Sequence, residues 1–401
     1  IDMSGVTGWE GIKNFQGTFD GNGHKITNLT GTNGLFASTN GATIKNIGLE
    51  NININGNSDY VGGLIGSATD SIITNCYTTG SIKNTNSNTI TAYDNSKYTS
   101  GTGGLIGNVH TSSGKTTTID NVYSSADVTA TSSDGVGGLI GTTGMNFGNT
   151  VMDIKNAYAI GNVSVGGFIG ASYNDQDNSS DITDIRNCYS GGKVSGSNYV
   201  GGFAGLYLYW GDRGDYCEIE GCNSTGKVNG STNSGAFMGI IVIKNADSGD
   251  DHYYVNFKDC GYSQDTGAAK GYGDIKDTDF TTSRADLVQN SGASDGLVSF
   301  KMAGSIPSKN DYKQNIIAAL TKADVYDACD PELTTADKNA MNAKIDQFLA
   351  KFADNDTDNA KLWYLNKALC EYIKGTGSND LGAKLGNDIN NGTTTSTASF
   401  Q

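Results

Sequence analysis

The sequence predicts a mainly β chain, a right-handed parallel β-helix followed by a small C-terminal helical bundle. Three observations predict it. A five-residue glycine motif returns along the first 240 residues. Glycine is abundant and proline nearly absent, at 56 and 2 of 401 residues. Helical apolar spacing begins only after residue 300. Proline removes a donor from a β ladder and glycine permits tight corners, so this pairing suits many long-paired strands joined by abrupt turns.

The motif is Gly62-Gly63-Leu64-Ile65-Gly66. It returns at Gly103–Gly107, Gly137–Gly141, Gly166–Gly170 and Gly201–Gly205, then decays to Gly235-Ala236-Phe237-Met238-Gly239. The intervals are 41, 34, 29, 35 and 34 residues. A second motif follows each copy: Asn75-Cys76-Tyr77, Asn121-Val122-Tyr123, Asn156-Ala157-Tyr158 and Asn187-Cys188-Tyr189, with echoes at Cys222 and Cys260. A third closes the unit, as at Gly80-Ser81-Ile82, Gly161-Asn162-Val163, Gly192-Lys193-Val194 and Gly226-Lys227-Val228. Three strand-forming runs and three turn-forming corners per unit make one coil. Stacked coils place equivalent strands about 4.8 Å apart with one face inward. The paired glycines mark a corner where a Cβ would clash. Variation in period is assigned to exposed loops at Lys83–Thr102 and Tyr173–Thr183.

These units resemble the GLUG repeat, named for its Gly-Leu-(Val/Ile/Ala)-Gly core, present five times with one degenerate copy over residues 1–265. Phe19-Asp20-Gly21-Asn22-Gly23-His24-Lys25-Ile26-Thr27-Asn28-Leu29 resembles the line that opens such arrays, which implies that the chain begins within its first coil. The resemblance implies a bacterial surface or secreted protein, of the kind that includes haemagglutinin-like adhesins and non-catalytic regions of immunoglobulin A proteases.

Composition bounds the partners. A net charge of −15 argues against nucleic acid and anionic membrane as direct partners. No apolar run is long enough to span a bilayer, so direct membrane insertion is not expected. Seven cysteines do not make a dense disulfide framework in a chain this long. Cys76, Cys188, Cys222 and Cys260 share one repeat position, which predicts small buried apolar side chains.

Residues 308–374 carry 20 charged side chains, against 46 in residues 1–307. Their apolar spacing is helical: Tyr312, Ile316, Leu320; Met341, Ile345, Phe348, Phe352; Leu362, Leu365, Leu369, Ile373. Three helices are expected, with N-caps at Ser308, Thr335 and Thr357. Residues 266–306 read as irregular final coils or a linker, and 375–401 as a Gly/Thr/Ser-rich tail. The helical segment is either a cap on the last coil or a separate docking module.

No catalytic, cofactor or metal residues are assigned. His24 belongs to the array-opening turn, and His110 and His252 fall in unrelated loops, which leaves no metal-ligand spacing and no Ser-His-Asp set. Acidic candidates for a glycan-cleaving groove are Asp175, Asp177, Asp181 and Asp184, and Asp250 with Asp251, but no acidic pair recurs beside an arginine in a neighbouring coil. Asp354-x-Asp356-x-Asp358 starts like a calcium loop, yet Asn359 replaces its glycine and Leu365 its glutamate, so a helix-capping linker is preferred to calcium. The sequons at Asn28, Asn162, Asn178 and Asn223 are expected by chance in so Asn- and Thr-rich a chain. Tyr207, Tyr209 and Trp210, read as an inserted exposed loop, are the possible contact surface.

The expectation is a non-enzymatic extracellular scaffold: a passenger or filament subunit binding a surface protein or glycan, or neighbouring copies of itself, through loops on a rigid rod. The alternatives are a carbohydrate-active enzyme on the same fold and a non-catalytic region of a secreted protease.

Overall fold

The computed structural model describes residues 1–86, 100–131, 135–145, 150–176, 182–211, 217–244, 255–268, 270–276, 297–300, 309–322 and 334–350, with positions 369 and 373. The chain divides into two compact units, Ile1–Lys301 and Met302–Gln401.

The first unit is built of parallel strands. Among the described residues, fifteen form one sheet, eight form a second, and shorter groups of three and two form a third face. Single bridges Gly137↔Gly166 and Gly166↔Gly201 carry that third face across the coil between the two groups. The chain visits the three in fixed order: Tyr60–Gly62, Ile65–Thr69 and Ile72–Asn84 in one coil, Gly101–Gly103, Ile106–Thr111 and Thr116–Ser124 in the next. Equivalent residues pair in register, as in Ile65↔Ile106, Ile106↔Ile140 and Ile140↔Ile169. This order is consistent with a parallel β-helix.

The glycine motif works by close approach. A Cβ on Gly137 would lie 1.8 Å from the Ile140 carbonyl oxygen and 2.6 Å from the Gly170 nitrogen in the next coil. One on Gly138 would lie 2.1 Å from the Gly167 carbonyl oxygen. Both obstacles are backbone and cannot swing aside. The following Leu or Phe then points inward: Leu64, Leu105, Leu139, Phe168, Phe203 and Phe237 are fully buried. Phe168, Phe203 and Phe237 stack with centroids 4.8 and 4.7 Å apart, the spacing of the strands that carry them.

The asparagine of the second motif turns the first sheet through a corner. Asn46, Asn75, Asn121, Asn156 and Asn187 all have φ between 50 and 56°. Asparagine tolerates this left-handed conformation because its short amide bonds locally. Here the amides also link coils: Asn121 Nδ2 donates to Asn75 Oδ1 at 2.7 Å, Asn75 to Asn46 at 2.9 Å, and Asn46 to the Asp20 carboxylate at 2.9 Å. The next residue points inward, and the thiols there donate to the carbonyl two residues back, from Cys76 to Thr74 at 3.1 Å and from Cys188 to Arg186 at 3.2 Å. A small apolar group with a weak donor suits the corner, where Val122 and Ala157 serve in other coils. One residue further, Tyr77, Tyr123 and Tyr158 stack at 4.8 Å with rings within 4° of parallel.

Several loop assignments shrink. Ile72–Asn84 and Ile169–Gln176 are strands, so the stretch Tyr173–Thr183 is not one exposed loop: Tyr173 and Thr183 are both buried. Strands Tyr272–Lys276 and Val298–Phe300 carry the strand-built unit past residue 265, where irregular coils or a linker were expected. On the outside of the second sheet, Ala171, Tyr173, Leu206, Leu208, Ile240 and Val242 form a separate buried cluster with Tyr199 packed against it.

The second unit contains α1 (Lys309–Lys322) and α2 (Thr335–Leu349). Tyr312, Ile316 and Leu320 of α1 and Ile345 and Phe348 of α2 are buried, as their spacing predicts. Thr334, not Thr335, caps α2, because only at that position does the hydroxyl meet the Asp337 nitrogen (3.2 Å) while the Asp337 carboxylate meets the Thr334 nitrogen (3.0 Å). The expected caps Ser308 and Thr357 lie outside the described residues, as does most of the expected third helix, where the described positions Leu369 and Ile373 are helical.

Candidate functional site

The expected aromatic contact surface is corrected. Tyr207 and Tyr209 lie in the strand Ala204–Gly211, not in an inserted loop, and both are buried in the main core. Leu206 and Leu208 alternate with them into the outer cluster, so this strand is apolar on both faces and its tyrosines face inward. Trp210 continues the strand, opposite Lys244 of the next coil.

Among the described residues, one polar constellation is of a kind that spacing did not reveal. On the first sheet, Asp153, Asp184 and Glu218 occupy one column in three successive coils, and Lys155, Arg186 and Glu220 the column beside it. An inward Ile154, Ile185 or Ile219 separates the two columns, since side chains alternate along a strand. Arg186 donates to Asp153 at 3.0 Å and lies 3.5 Å from Asp184, so an arginine does stand beside carboxylates of neighbouring coils. The Asp153 hydrogen bond holds the Arg186 guanidinium above its ordinary pKa, against a smaller opposing effect of burial. Lys155 pairs with Asp153. Lys258 lies 2.7 Å from Glu220 and 3.9 Å from Glu218, and Asn256 donates to Glu218 at 3.2 Å. The sequence signal was the acid–Ile–charge triplet that recurs just ahead of Asn156, Asn187 and Gly221.

Each of these carboxylates has a cation within 4 Å. Three cations face four carboxylates across the coils, and the side chains are part-exposed, where such pairs are each worth about 0–1 kcal/mol. The row is an ion-pair network along one face of the first sheet.

The other candidates separate. Asp184 is in this network. Asp175 lies in the second sheet opposite Trp210, and Asp177, Asp181, Asp250, Asp251 and His252 lie outside the described residues, as does Asp354–Asp358. His24 is exposed in the opening turn, its nitrogen bonded to the Gly21 carbonyl at 2.8 Å. His110 is not in a loop: it sits half-buried in the strand Ile106–Thr111, where burial lowers its pKa and Asp70 partly opposes this. Among the described residues no group of His, Cys, Asp or Glu is placed to hold a metal ion, and no helix is long and apolar enough to cross a membrane. Asn28 donates to Asp2 at 3.0 Å and Asn162 to Asp127 at 3.0 Å, so both sequon amides are engaged.

Residues 12–80 match the family model for the M26 IgA1-specific metallo-endopeptidase N-terminal region, and residues 196–229 match the model for the GLUG motif. No curated protein matches the chain. Among solved structures, a Bacteroides ovatus chain named provisionally as an immunoglobulin A1 protease is 16% identical, with 76% of each chain covered and a TM-score of 0.39. The chain carries the GLUG motif, and its opening coils are similar to the N-terminal region of M26 IgA1-specific metallo-endopeptidases.

Proposed function

We propose that this chain is a non-catalytic arm of a secreted or surface-exposed bacterial protein of the immunoglobulin A protease kind. In this reading the three sheets close into a right-handed β-helix that serves as a stiff spacer for its neighbours in the intact protein. The observation that carries it is the M26 N-terminal match over residues 12–80, in the same stack of coils as the GLUG motif at 196–229. The ion-paired carboxylate row supports a structural role for that face. Incubating the purified chain with IgA1, with and without added zinc, tests it: the heavy chain is expected to stay intact on a gel. Hinge fragments that persist after repurification of the chain would overturn the proposal.

The adhesive scaffold shares this architecture and rests on the GLUG motif. It differs in one outcome: immobilised chain alone would retain a host-surface protein or glycan in a binding screen. No retention across such a screen would leave the spacer reading standing and remove the adhesive one.

A further inference from the structure

We draw no further inference here: the strongest candidate, the exposed apolar rim that Ile1, Val6 and Ile12 form along the first coil, is an edge for which nothing in the structure shows what covers it.

Discussion

The Cβ that Gly48 lacks would fall 2.1 Å from Cζ of Tyr77 in the next coil. The ring therefore lies flat on the Gly48 backbone, and the tyrosine stack of later coils ends on a glycine. From there the Tyr77 hydroxyl reaches Glu50 at 2.8 Å, and Lys25 meets the same carboxylate at 2.9 Å. Gly48→Ala is expected to push the ring off the stack and cost about 1–3 kcal/mol, the usual range for overpacking. Thermal unfolding of G48A, Tyr77→Ala and the double variant checks this. If the two losses simply add, the residues are not in the contact described.

The motif glycines should divide sharply from the turn glycines. Gly137→Ala sets a methyl against backbone oxygen and nitrogen that cannot move without shifting a whole coil. A loss of at least about 3 kcal/mol, or failure to fold, is expected. Gly23→Ala meets nothing within 4 Å and suffers only from its φ of +75°, so a loss of about 1 kcal/mol is expected. Urea titrations of the two variants measure the gap, and equal midpoints would contradict the corner geometry.

Cys188, Cys222 and Cys260 stack in successive coils and should be free thiols even after exposure to air. All three are buried and unbridged. A disulfide needs Cβ atoms about 3.5–4.5 Å apart, closer than stacked parallel strands bring them. Burial pushes the Cys76 thiol up to about 12 and raises that of Cys222 well above its ordinary value, which withholds the reactive thiolate. Alkylation without reductant should label these cysteines in denaturant and leave them unlabelled in the native state. Bridged peptides in the mass spectrum would refute the stack.

Acid should loosen the first coils. Asp2 is held below the usual carboxylate range by the Asn28 amide and then the Ser4 nitrogen, and Asp20 by the Asn46 amide, the Asn22 nitrogen and Lys45. Burial pushes Glu50 up, but Lys25 and Tyr77 outweigh it and its pKa also falls. A carboxyl group whose pKa is depressed on folding stabilises the fold above its unfolded value, and that stability is lost as pH falls through the folded one. The urea midpoint should therefore drop between about pH 5 and pH 3. Asp20→Asn keeps an oxygen for Asn46 but cannot titrate, so it should flatten that drop. An unchanged pH slope in this variant would mean Asp20 plays no such part.

The repeated corners were legible because one residue type meets a backbone demand there: glycine where the next coil touches, asparagine where φ turns positive. The thiol positions were legible too, since Val122 and Ala157 stand in their register. The strand at Leu206–Tyr209 was not. Inserted loops and strands apolar on both faces are both rich in large side chains, and the exposed-aromatic reading took Tyr207, Tyr209 and Trp210 without the leucines between them. The signal lay in comparison across copies: Ala171-Ser172-Tyr173 and Ile240-Ile241-Val242 sit at the same offset from their glycines. Ion pairs such as Arg186 with Asp153 link residues 33 apart, and no spacing within one repeat could show them.

The corner amides of Asn46, Asn51, Asn75, Asn121 and Asn156 donate in one sense, from later coils toward earlier ones, and their rows stop at carboxylates. Asn51 donates to Asn28, which donates to Asp2. Where Asn156 turns instead to Asp120 at 2.8 Å, Asn121 Oδ1 is left buried without a hydrogen-bond partner, and a second row begins. Aligned amide dipoles reinforce one another, so such a row has a head and a tail. A coil copied elsewhere in the array would extend the row only if it arrived in the same orientation with its asparagine intact. A coil lacking that asparagine would split the row, and the fragment beyond it would require an acid of its own to start from.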